Sequence, residues 1–327
     1  MNDLGAFDHV FDGLSPFAGP VPPSFLVNFL GGLTDANFRA IWGVDPASVG
    51  GCDATTSLPV VEDGEGWFEA VNCVASAREA RGRYVMMTLG ACYGAQAVDS
   101  YRAVQAINPM PVKLVAVEGD AENIAWTRKN FADNGIGPDE YWLLEAAMSA
   151  DNEPVIFPVG SPGSGAQNCI STNEPAARQR MAAHLADAGL ADTVMRNLLL
   201  GNSTGIQIEL APNTEYDFKA ELRFVSAATL RDVLAPFDRV DFVEADLQQS
   251  EVVVFPPAMD ILTRKVRRVH LGTHGEQAHR DMHDLFARHG WDILFSFPGN
   301  QRYDMPQGSF TLNDGVLSAV NPALAPG

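Results

Sequence analysis

The sequence predicts an α/β fold built on a mostly parallel, doubly wound sheet. From residue 84 onward, short apolar runs of strand length alternate with helical stretches, as crossover units of a parallel sheet require. One run, YVMMTLGACYG (84–94), leads into a glycine turn, and the next strand, KLVAVEGD (113–120), carries Glu118 at its end. At 327 residues and 46% hydrophobic, the chain can bury a large core around such a sheet.

The elements follow in order. Residues 1–65 are rich in Pro, Gly and Asp, with apolar patches at 24–33 and 37–43, and read as an N-terminal arm or small helical cap. The main domain is expected to run from 66 to 327. GWFEAVNCVASAREA (66–80) has helical spacing and leads into it. The first strand covers 84–89 and a helix follows over about 94–107, ended by Asn108-Pro109 and Pro111. The second strand is 112–118. A helix from near Asp120 stops at Asn134-Gly135, and YWLLEAAM (141–148) is the third strand. The segment at about 157–222 breaks the rhythm with a Gly/Ser/Pro loop and a helical stretch (174–200), an insertion of lid or merely structural kind. SAATLRDVLAPF (226–237) is expected to be a helix capped by Ser226. VDFVEAD (240–246) and VRRVHLGTHG (266–275) are strands, and EQAHRDMHDLFARHG (276–290) is a helix stopped by Gly290. WDILFSF (291–297) and GSFTLNDGVLS (308–318) close the sheet, with antiparallel pairing at one edge.

A strand, a glycine turn, a helix and an acidic residue ending the next strand form a nucleoside-binding layout, with the carboxylate placed for ribose hydroxyls. The turn lacks G-x-G-x-x-G. Its Gly90-Ala91-Cys92-Tyr93-Gly94 spacing suits a ligand without a pyrophosphate, such as S-adenosylmethionine. Cys92 reads as a small turn residue rather than a nucleophile.

Net charge of −19 argues against a nucleic-acid partner. No apolar run approaches the ~20 residues of a membrane span, and the N-terminus lacks a signal peptide's basic start and apolar stretch. A soluble cytoplasmic protein is the expectation. Cys52, Cys73, Cys92 and Cys169 form no C-x-x-C pair, so neither a structural zinc nor a disulfide framework is expected.

Four blocks together resemble the FkbM family of S-adenosylmethionine-dependent methyltransferases, over about 80–300 without the insertion. They are LGACYG (89–94), AVEGDAENIAWTRKNFADNG (116–135), VDFVEADLQQSE (240–251) and VRRVHLGTHG with the helix behind it. The third is similar to the family's D-x-x-K-x-D-x-E-G-x-E block. The resemblance implies a class I methyltransferase fold, Rossmann-like with a seven-stranded sheet, that binds S-adenosylmethionine and methylates an oxygen of a small molecule or glycan. It implies that Gly90, Ala91 and Gly94 shape the turn under the cofactor's methionine part, with Tyr93 beside it. Glu118 then holds the ribose, Met148 packs the adenine, Asp246 faces the transferable methyl group, and Glu251 bonds to cofactor or nearby backbone.

Three departures stand out. Thr88 occupies the place of an acidic residue that reaches for the methionine amino group, where it can accept a hydrogen bond but adds no charge. Glu244 replaces the block's Lys, and Gln248-Gln249 replaces its Glu-Gly. Attack by an alcohol on a sulfonium methyl needs in-line placement and a group to take the proton. Asp246 is the first candidate base and His274 the second. His279 and His283 share a helix face at i, i+4, but without a Glu after the first they read as a solvated face, and no metal is assigned. A nicotinamide-dependent oxidoreductase and an inactive S-adenosylmethionine-binding module are the alternatives. The acceptor's identity and any oligomeric state are not legible.

Overall fold

The structure, a computed structural model, describes residues 3–40, 43–159, 206–208 and 220–324. Seven strands form the central sheet: β1 (Tyr84–Leu89), β2 (Val112–Glu118), β3 (Tyr141–Glu145), β4 (Val240–Asp246), β5 (Val266–Thr273), β6 (Asp292–Phe297) and β7 (Gly315–Val320). Their order is β6-β7-β5-β4-β1-β2-β3. β7 runs antiparallel to both its neighbours, and the other pairings are parallel. This is the class I methyltransferase arrangement, and β1, β2 and β4 keep the bounds their sequence implies. Every residue of β1 and β2 is buried, as unbroken apolar runs demand of strands covered on both faces.

Helices cover both faces. α1 (Glu65–Glu79), α2 (Ala95–Ile107) and α3 (Ala121–Asp133) pack on one side; α4 (Leu230–Leu234), α5 (Glu251–Val254), α6 (Met259–Lys265) and α7 (Glu276–Arg288) on the other. Strand alternation feeds each core: Met86, Leu114 and Phe242 point to the α1–α3 side, Val85, Met87, Val115 and Val243 to the α4–α7 side. α3 starts at Asp120, whose side chain accepts the N–H of Glu122.

Three expected elements are corrected. The stretch 141–148 is two strands, because after Glu145 the chain leaves the sheet and Ala147–Ser149 pairs in parallel with Ala227–Thr229. That pairing takes the first residues of the expected 226–237 helix. α4 therefore begins only at Leu230, capped by Thr229 rather than Ser226, and lasts little more than one turn. The stretch 308–318 also divides. Gly308–Leu312 pairs with Gln301–Met305 in a hairpin outside the main sheet, and the turn at Asn313-Asp314 hands the chain to β7.

Within the expected insertion, 155–159, 206–208 and 220–225 form a small antiparallel sheet. The remainder of 157–222, including the helix expected over 174–200 and Cys169, lies outside the described residues. The N-terminal arm contributes a 3-10 segment (Leu4–Phe11) and two short antiparallel strand pairs. It is fastened to α3 by Asn134, whose side chain bonds both the N–H (2.8 Å) and the carbonyl (2.9 Å) of Leu33. Lys129 and Asp35 add an ion pair at 2.9 Å.

Candidate functional site

The strands β1, β2 and β4 end side by side, and the turn after β1 passes over the end of β4. Gly90 has φ +80°, and a Cβ there would lie 2.1 Å from the carbonyl oxygen of Asp246. No side chain is tolerated at that crossing. Gly94 (φ +75°) opens α2, and a Cβ there would press on Thr127 and Phe131 of α3. Glu118 ends β2 almost fully buried. One of its oxygens accepts the N–H of Cys92 and the other that of Asp120, both at 2.8 Å. Burial pushes its pKa up to about 7 against these hydrogen bonds.

A pocket opens between these ends. Of the positions implied by the resemblance, Gly90, Glu118, Met148 and Asp246 line it, whereas Thr88, Ala91, Tyr93, Gly94 and Glu251 do not. Ala91 is buried within the turn and Met148 is carried by the short strand after β3. Tyr93 faces the arm instead: its ring packs on Phe38 at 4.2 Å between centroids, and its hydroxyl accepts a hydrogen bond from Arg39. Cys92 has a left-handed backbone (φ 51°), and burial pushes its thiol pKa up, away from nucleophile chemistry.

Two of the sequence departures meet in space. Thr88 and Glu244 are register partners on β1 and β4, and the Thr88 hydroxyl donates to Glu244 Oε2 at 2.5 Å. The carboxyl group of Glu244 lines a separate cavity with Glu69, Asp99 and His270, and not the pocket of Gly90 and Glu118. Burial holds Glu244 well above the usual carboxylate range. The register neighbour of Glu244 on β5, His270, is lowered to about 4 by burial and bonds Ser318 at 2.8 Å.

Asp246 ends β4 opposite Gly272, where a Cβ would come within 3.4 Å of the Asp246 carboxyl carbon. His274 follows β5. Its Nε2 lies 3.5 Å from Asp246 Oδ1 and 3.3 Å from Asp314 Oδ1, and its Nδ1 lies 3.9 Å from Glu251 Oε1. Burial alone would lower the imidazole, but the carboxylates of Asp314, Asp246 and Glu251 outweigh it and raise the pKa to about 9. Asp246 is raised by burial, with the His274 charge opposing. Glu251 starts α5 and accepts the N–H of Leu247 at 2.7 Å, bracing the turn between them. In that turn Gln248 (φ 50°) and Gln249 (φ 78°) are both left-handed, a backbone that glycine adopts more readily.

The helix histidines part company. His279 is buried, bonded to Thr273 Oγ1 at 2.8 Å and Ser296 Oγ at 3.0 Å, whereas exposed His283 sits beside Asp284. Four acidic residues near the site carry no motif and are missed by sequence reasoning: Glu65, Glu69, Asp99 and Asp314. A cavity of about 280 Å3 between the sheet, α1, α2 and the arm is lined by Glu69, Asp99, Glu244 and His270. Asp99 accepts from Asn28 of the arm and is raised to about 7 by burial and the Glu69 charge. Glu65 is raised to about 8 by burial and by the charges of Glu69, Asp246 and Asp314. The available signal was the i, i+4 spacing of Glu65 and Glu69 on one face of α1, next to the apolar Trp67, Phe68 and Val71.

No protein-family model matches the chain. It is 24% identical over 226 residues to a provisionally named methyltransferase of Jannaschia sp. (strain CCS1), covering 68% of this chain and 67% of that protein. Among solved structures, a precorrin-6y C5,15-methyltransferase of Geobacter metallireducens GS-15 aligns with a TM-score of 0.37, 10% identity and 77% and 86% of the two chains. The methyltransferase FkbM of Methylobacillus flagellatus KT aligns with a TM-score of 0.40, 10% identity and 73% and 44% of the two chains. Among the described residues no helix is long and apolar enough to cross a membrane.

Proposed function

We propose that this chain is an S-adenosylmethionine-dependent methyltransferase of FkbM type that methylates a hydroxyl oxygen of a small molecule or glycan. The observation that carries the reading is Glu118. Two backbone N–H groups fix its carboxylate at the wall of a pocket whose other walls are the Gly90 turn and Asp246. Each oxygen keeps acceptor capacity for a ribose hydroxyl. The pocket also offers Met148 as an apolar surface for a purine.

The cofactor supplies a methyl group already activated on a sulfonium sulfur. The protein's part is to hold an acceptor oxygen in line, exclude water and receive a proton. We assign the proton to Asp246, whose side chain is partly exposed (38%) to the pocket and whose pKa is raised. With no cation bound, the facing carboxylates keep His274, the other candidate base, protonated at neutral pH, so it balances local charge and does not take the proton. The cavity lined by Glu69, Asp99 and Glu244 is the acceptor's place in this reading, with the arm as one wall of a domain running from 66 to 327.

Calorimetric titration with S-adenosylmethionine and with its demethylated product tests the reading. Saturable binding of both at one site per chain is expected. Binding of neither overturns it.

A further inference from the structure

We propose that Asp246, Glu251 and His274 form a site for a divalent cation, of the manganese or magnesium type, on the wall of the pocket. One donor atom from each residue lies within 4.8 Å of the others, and the three come from separate places, the end of β4, the start of α5 and the segment after β5. A cation with bonds of ~2.1 Å to oxygen or nitrogen keeps its ligands roughly 3–4.2 Å apart. Small side-chain movements bring the three to that spacing.

A second observation points to a ligand independently of the clustering. Glu251 is fully buried, and although its Oε1 accepts the Leu247 N–H, its Oε2 has no hydrogen-bond partner. His274, a side chain only 12% exposed, turns its ring nitrogens toward three carboxylates at 3.3–3.9 Å. A fully buried carboxylate oxygen such as Glu251 Oε2 is rarely left without a partner to satisfy it. Among the described residues the ion pairs of Asp246 and Glu251 are both with His274. Asp314, 3.3 Å from His274 Nε2, adds an oxygen at the rim. A set of one imidazole and two or three carboxylates favours a harder cation over a thiolate-seeking one. With three protein ligands the ion keeps open positions facing the pocket, where an acceptor hydroxyl would bind and become more acidic. That last role rests on the methyl-transfer reading; binding of the cation does not.

The test is titration of manganese(II) into chelator-treated full-length protein, counting free ion by its electron paramagnetic resonance signal. One saturable site per chain is expected. Glu251→Gln, which keeps the shape of the buried side chain, and His274→Ala should each weaken it at least tenfold. Asp246→Asn, at a partly exposed position that spares the fold, should weaken it too. Absence of a saturable site in the wild type overturns the proposal. So does wild-type affinity in folded Glu251→Gln and Asp246→Asn, which would put the ion on other surface carboxylates. Calorimetry with the demethylated cofactor on the same samples separates the two claims, since a manganese site without cofactor binding defeats only the methyltransferase reading.

Discussion

On one side of the pocket the Gly90 turn and Glu118 are positioned by backbone: a crossing with no room for a side chain and two N–H donors on one carboxylate. On the other, Asp246, Glu251 and His274 face one another across gaps of 3.5 Å and 3.9 Å, with Glu251 tied to the Leu247 N–H and Asp246 to the Gln248 side chain. The backbone-held wall fits a fixed ligand part such as a ribose. The wall of facing charges fits chemistry in which a proton or cation changes hands. The difference teaches that one cluster can be altered without the other, and substitutions can break it at either wall.

The largest expected effect falls on the charged wall. Asp246→Asn should lower turnover of whichever hydroxylated acceptor the wild type methylates by about 10²–10⁴-fold, with cofactor affinity little changed. A single-turnover assay with labelled methyl donor reads this directly. Unchanged turnover removes Asp246 as the base.

Next comes the backbone-held wall. Gly90→Ala should destabilise the fold by about 3–5 kcal/mol, because its Cβ meets a carbonyl that cannot move aside. Gly135→Ala has the same sign of φ (+74°) but open space around it, and should cost only about 1 kcal/mol. Urea unfolding of both variants gives the comparison; equal losses would mean that strain at φ alone, and not the crossing, sets the cost.

Both walls contribute to a pH dependence. Asp99, Glu118 and Glu251 titrate at about 7, Glu65 at about 8 and His274 at about 9 in the folded chain, all raised. Between pH 6.5 and 9 the folded protein therefore binds more protons than the unfolded one, and its stability should fall as pH rises. His270 and His279, lowered to about 4, oppose this only between pH 4 and 6.5. Thermal unfolding midpoints should decline across the upper window, and Glu251→Gln should flatten the decline. A midpoint rising from pH 6.5 to 9 would contradict the charge arrangement. The smallest effect is at Gln249, where Gly should stabilise by about 0.5–1 kcal/mol, since the backbone is already in a glycine conformation. A loss on that substitution would show that the Gln249 side chain contributes more than its strain.

The backbone-held wall was legible in the sequence because it is local. Gly90, Glu118 and the strands that carry them lie within about three dozen residues, and period and turn chemistry place them. The charged wall was legible only in part. Asp246 and His274 end strands that read clearly, but Glu65, Glu69, Asp99 and Asp314 reach the site through tertiary packing that no local pattern encodes. The Thr88–Glu244 contact makes the same point, since two departures that each look like a loss are a hydrogen-bonded pair across neighbouring strands. The misread helix at 226–237 failed for a related reason: pairing of Ala227–Thr229 with Ala147–Ser149 overrides an alanine-rich helical composition.

In the proposed function the Glu118 wall holds the nucleoside part of a sulfonium cofactor while the Asp246 wall does the chemistry. Calorimetry with the demethylated cofactor product on wild type, Glu118→Ala and Asp246→Asn tests it most directly. Saturable wild-type binding, at least tenfold weaker binding by Glu118→Ala and near-wild-type affinity for Asp246→Asn are expected. Normal binding by Glu118→Ala, or no binding by the wild type, would contradict it.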